Sequence, residues 1–119
     1  MSPTGSSGMS SARADRLHAL REDAEAELRA TGERIDAMTA ARADANSDDE
    51  HDPEGTTIGF EWSQADAFRG ALRRRLAEVD AALARVAAGT YGTCTVCGAA
   101  IPEARLDGRP TTDRCIRHA

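Results

Sequence analysis

Four residues near the C-terminal end carry the most specific chemistry in the chain: Cys94-Thr-Val-Cys97, then seventeen intervening residues, then Cys115-Ile-Arg-His118. Zinc takes four soft or borderline ligands in a tetrahedron, and two pairs, each with two residues between its members, deliver them from two short turns. The pattern uses all three cysteines of the chain. Gly98 follows the first pair, where the backbone must turn for its amides to point at thiolate sulfur. One structural Zn2+ held by Cys94, Cys97, Cys115 and His118 is expected. Four protein ligands leave no open position for water, which is the structural rather than the catalytic arrangement; no catalytic residue is assigned and an enzyme is not expected. Two other chemistries fit the same residues: a disulfide with one thiol left over, and a redox-active Cys94/Cys97 pair. The first needs an oxidising compartment, and the absence of an apolar signal-peptide stretch points to the cytoplasm.

A second group of residues is acidic. Asp44, Asp48, Asp49, Glu50, Asp52 and Glu54 follow one another with no base among them. Such a run is most often a solvated loop. Its functional reading is a carboxylate cluster carried to a partner's metal ion or basic channel. His51 lies in its middle and reads as a solvated histidine.

The elements that position these two groups follow from composition and periodicity. The chain has 119 residues, a formal charge of −5 and 3% aromatic residues, enough for one small module plus long helices but little material for a globular core. All 15 of its Lys+Arg residues are arginine. No apolar run approaches the roughly 20 residues that cross a bilayer, so no membrane association is expected. Residues 1–10 are small and polar and are predicted to be disordered, with Met9 an alternative start. From Ser11, Leu17, Leu20, Ala24, Leu28, Thr31, Ile35 and Met38 recur at spacings of three and four, the mark of an amphipathic helix. Ala65, Phe68, Leu72, Leu76, Val79, Leu83 and Val86 repeat the pattern and stop before Gly89, a helix terminator.

Folded antiparallel, the two stripes mesh. Residues 17 and 86, 20 and 83, 24 and 79, 31 and 72, 35 and 68, and 38 and 65 each add up to 103, and only Leu28 with Leu76 is off, by one. The predicted fold is mainly α: an antiparallel coiled-coil hairpin over 11–88 with an acidic tip loop at about 45–57, followed by a small zinc-ribbon or zinc-finger module over 89–119. Two helices of an ordinary bundle, or of a homodimer, are the alternative. The arm from Leu17 to Ala45 would extend roughly 40 Å. Asp52-Pro53 is a good helix start, with Asp as cap and Pro at the first helical position, and Ser63 with Asp66 competes with it. Phe60 and Trp62 read as packing residues near the tip.

The segment from Tyr91 to His118 resembles the zinc finger of the DksA/TraR family: Tyr91-Gly, Cys94-Thr-Val-Cys97-Gly, Ile101, Arg105-Leu106, Pro110, and Cys115-Ile-Arg-His118 fall in the family's order. The coiled coil and acidic turn extend the resemblance over most of 11–118. It implies a bacterial transcription factor that binds RNA polymerase rather than promoter DNA, passing the coiled coil through the secondary channel. Acidic tip residues, here Asp52 with Asp49 and Glu54, would then lie near the catalytic magnesium.

The chain departs from the family at three places. His118 stands where the family has a cysteine, and a Cys3His set still binds zinc. Where the family tip reads Asp-x-x-Asp-x-Ala, Asp49-Glu-His-Asp52-Pro-Glu54 keeps both aspartates and puts Glu for Ala, whereas alignment by the Asp-Pro step carries over Asp52 alone. Arg73, Arg74 and Arg75 do not match the family's basic residues for the alarmone ppGpp, and a conventional ppGpp site is not expected. Arg105 and Leu106 are predicted to tie the finger to the base of the coiled coil. The alternative function is a zinc-ribbon module that binds nucleic acid or serves as a protein adaptor, with Arg105, Arg109, Arg114 and Arg117 making the finger mildly basic. The net negative charge argues against a dedicated duplex-DNA binder.

Overall fold

Glycine and proline mark the ends of the second long helix as the sequence predicts. In the computed structural model, which describes the backbone of residues 4–48 and 53–119 and the side-chain surroundings of 11–44 and 59–119, α1 spans Thr4–Asp48 and α2 spans Pro53–Ala88. Proline is the first residue of α2, where its missing N–H costs nothing. Gly89 adopts φ +77°, its N–H bonds Val86 O at 3.1 Å, and Thr90 N–H reaches back to Arg85 O at 2.9 Å. This pair of bonds is the Schellman motif, which satisfies the last carbonyls of the helix and demands a left-handed residue that only glycine adopts freely. α3 (Glu103–Gly108) and a 3-10 turn (Ile116–His118) follow.

Two boundaries differ from expectation. Helix α1 begins at Thr4, seven residues before Ser11, because extending a formed helix needs only one residue fixed per added hydrogen bond. For the same reason both helices run into the acidic segment, so that only residues 49–52 lie between them instead of a loop over 45–57. Of the tip residues, Asp49 and Asp52 lie outside the described residues, and Glu54 lies in the first turn of α2 with its side chain outside them.

The chain forms two compact units, residues up to Asp23 with Leu76–Ala119, and Ala24–Arg75. In each, α1 and α2 pair antiparallel. In the first unit, Leu17, Val79 and Ala82 are fully buried, with Leu20, Leu83, Val86 and Tyr91 packed around them. Arg21 Nε bonds Asp80 Oδ1 at 2.6 Å on the surface. In the second, Ala24, Thr31, Ile35, Ala65 and Leu72 are buried. Trp62 Nε1 donates to Thr39 Oγ1 at 3.1 Å, and that hydroxyl donates to Ile35 O at 2.9 Å.

The register is readable from these contacts. The pairs 21/80 and 39/62 both add to 101, flanking the predicted seam at 103, and both units keep it. One stripe residue is misplaced. Phe68, expected against Ile35, is 47% exposed, whereas Ala82, outside the stripe, is fully buried. The buried positions of the two helices mix small residues (Ala24, Thr31, Ala65, Ala82) with Leu17, Ile35, Leu72 and Val79.

Candidate metal centre

Two tight turns build the site. In the first, Gly98 N–H bonds Cys94 O at 2.9 Å and Gly98 takes φ +74°, while Cys94 N–H bonds Ala99 O at 2.8 Å. A single antiparallel bridge between Thr93 and Ala100 closes the turn. In the second, the 3-10 turn brings His118 back over Cys115, with His118 N–H on Cys115 O at 3.0 Å. Both the amide and the hydroxyl of Thr95 bond Asp113 O, at 2.9 and 3.2 Å, and so lock one turn to the other.

The ligand atoms of Cys94, Cys97, Cys115 and His118 all lie within 4.8 Å of one another. Cys97 and Cys115 sulfurs are 3.8 Å apart, and His118 Nδ1 is 3.3 Å from Cys115 Sγ and 3.7 Å from Cys94 Sγ. A tetrahedral zinc with ordinary bond lengths requires S···S edges of about 3.8 Å and S···N edges of about 3.5 Å. The donor set therefore fits one structural zinc ion, with His118 binding through Nδ1. All three cysteines are free, and the 3.8 Å between Cys97 and Cys115 sulfurs is far beyond a disulfide bond.

The protein prepares these ligands electrostatically. The backbone amide of Cys115, set against burial and joined by the amides of Cys97 and Val96, pulls the Cys94 thiol down to about 6 from an ordinary 9.0. His118 beside it lowers Cys115, helped by the Arg117 amide. His118 is raised in return, first by Cys115 and then by Cys94. At Cys97 the Ala99 amide lowers the thiol, but burial and the neighbouring Cys94 and Cys115 outweigh it and the thiol is raised. At Cys94, through backbone amides, and at Cys115, through His118 first, these contacts favour the thiolate that binds metal.

Around the ligands is a small core of Cys94, Ile101, Leu106 and Cys115, with Tyr91 packed against it. Tyr91 also packs against the Leu17, Val79 and Ala82 cluster, and its hydroxyl donates to Pro110 O at 2.7 Å. Expectation fails at Arg105 and Leu106. Leu106 belongs to the finger's own core, and Arg105 Nε bonds Arg114 O at 2.8 Å, so both act within the finger. The helices are instead held to it by Arg13 Nη1 on Asp107 Oδ1 (3.1 Å), Arg16 Nη1 on Asp107 O (2.8 Å) and Arg85 Nη2 on Thr111 O (3.0 Å). No spacing rule would have singled these out: two of the three acceptors are backbone oxygens, which leave no trace in residue type, and the third, Asp107, is one of many acids an arginine could meet. The three exposed members of the mildly basic set, Arg109, Arg114 and Arg117, remain on the finger surface.

Residues 89–117 match the family model described as the prokaryotic dksA/traR C4-type zinc finger. A protein of Aquifex aeolicus (strain VF5), described as uncharacterized, is 48% identical over 44 residues, which are 37% of this chain and 30% of that one. The match thus spans under a third of that relative's length. Transcription factor DksA2 from Pseudomonas aeruginosa superposes with a TM-score of 0.79 at 21% identity, over 93% of this chain and 80% of its own. At that identity the likeness is one of fold.

Proposed function

We propose that this chain, a dksA/traR-type zinc finger with His118 in place of the fourth cysteine on a helical hairpin, is a bacterial transcription regulator that binds RNA polymerase. The observation that carries the proposal is the likeness to a transcription factor, DksA2, over 93% of the chain. The hairpin enters the polymerase secondary channel and sets the acids of its turn, Asp52 foremost with Asp49 and Glu54, beside the active centre. Carboxylates there act on a metal site or on the bases around it through their charge. The zinc is structural, since its four positions are filled by protein, and the chain acts by binding rather than by catalysis. The setting is the bacterial cytoplasm. Sequence-specific DNA contacts and a conventional ppGpp response are not part of the proposal.

The test is site-specific photocrosslinking from position 52 to purified core RNA polymerase, with the crosslinked peptide mapped. A crosslink near the active centre supports the proposal. A folded, zinc-loaded protein that gives no crosslink would overturn it and favour the adaptor or nucleic-acid module. Asp52→Asn is expected to keep zinc content and helicity while losing the effect on initiation in a purified transcription assay.

A further inference from the structure

Two glycines stand inside the paired helices of the second unit at the same level. Gly32 lies in α1 and Gly70 in α2, and their numbers add to 102, between the cross-helix bonds at 101 and the stripe at 103. Neither has a positive φ, so both are ordinary helical residues. Neither makes room for a neighbour. A Cβ on Gly32 would meet nothing within 4 Å, and one on Gly70 would meet only the end of the Arg74 side chain, at 3.5 Å. No turn, close approach or backbone conformation demands glycine at either place, and alanine would fit both. In a helix interior glycine keeps more backbone freedom than alanine and weakens the helix. Gly59 is different, since Arg42 fills the space beside it at 3.6 Å and no glycine stands opposite it at 42–44.

Packing is thin at the same level. Phe68, the stripe residue beside Gly70, turns 47% of its surface to solvent. Arg69 is half-buried and spends Nη2 on Asp66 Oδ1 of its own helix at 2.5 Å, while its enclosed Nε has no hydrogen-bond partner among the described residues. An enclosed donor left unpaired works against the packed state. The pair is better held on either side. Thr31 and Leu72 are buried on one, and on the other Ala65 is buried and Trp62 bonds Thr39 across the helices.

A weakened backbone in both helices, a ring turned outward and an orphaned donor thus coincide within one turn of residues 32 and 70. Hinges are a few residues that absorb a change of backbone angle, and small residues often serve. We propose that this level is a hinge in the hairpin, at which the two helices open and bend together while the layers on both sides stay paired. It lets the outer part of the pair change direction without unfolding the inner part.

Hydrogen exchange of the zinc-loaded full chain, read amide by amide by NMR, tests this. The amides at 32–36 and 70–74 are expected to exchange about tenfold faster than those at 24–28 and at 62–66, a maximum within the pair rather than a steady rise toward its turn. Gly32→Ala combined with Gly70→Ala is expected to slow exchange at this level about tenfold and to leave the amides around Leu17 and Val79 unchanged. Spin labels on unnatural side chains in place of Glu27 and Glu61, both exposed and on opposite sides of the level, are expected to give a distance distribution that narrows in the double alanine variant. A steady rise of exchange toward the turn would overturn the proposal. So would a slowing spread evenly over the chain, or a distance distribution that the two alanines leave as broad as before.

Discussion

His118 completes the ligand set with an imidazole where the family finger is of the four-cysteine type. Its Nδ1 stands 3.3 Å from Cys115 Sγ, close to the S···N edge of about 3.5 Å in a zinc tetrahedron, so the exchange changes the charge of the site and keeps its tetrahedral arrangement. His118→Cys is therefore expected to retain one zinc per chain, read by mass spectrometry under non-denaturing conditions. Cys97→Ser removes a thiolate that nothing else replaces and is expected to lose the metal and the fold of the finger together, since binding and folding are coupled in sites this small. Gly89 works through its backbone alone. A Cβ there would meet no neighbour within 4 Å, yet φ +77° is a conformation that side chains resist. Gly89→Ala is expected to lower stability by about 1 kcal/mol, measured by urea denaturation.

At the scale of elements, α1 and α2 hold one another with few and mostly small residues. Leu17 and Val79 are among the largest side chains fully removed from water. Leu17→Ala is expected to cost about 2–5 kcal/mol in urea denaturation, because packed helices cannot collapse into the space left. Trp62→Phe, which removes the indole N–H that bonds Thr39, is expected to cost about 1 kcal/mol and to leave helicity intact. The helical periods of both elements, their antiparallel pairing and the stop at Gly89 were legible in the sequence, because burial on one face of a helix fixes residue type every three or four positions. The position of Phe68 was not. Spacing places a residue on a face, whereas how much of that face is buried is decided by the packing of the two helices, which leaves Phe68 47% exposed.

Across the whole molecule, stability comes from two sources, helix pairing and metal. Chelation is expected to raise hydrogen exchange sharply at the amides of the finger, from Tyr91 to His118. Protection in α2 around Ala65 and Leu72 should persist, since those residues are buried in a unit that contains no metal ligand. Equal loss of protection in both regions would show that the metal supports the entire chain. The sequence by itself determined the zinc ligands, the two helices and their register, because metal coordination and helical burial each restrict residue identity at fixed spacings. Tertiary structure alone decided that Arg13, Arg16 and Arg85 grip the finger, that Tyr91 joins its core to that of the helices, and that both phenylalanines face outward. Those outcomes depend on which groups the folded chain brings together: Arg16 and Arg85 meet carbonyl oxygens, which any residue type supplies, and Arg13 meets one carboxylate among many, so no sequence pattern records them.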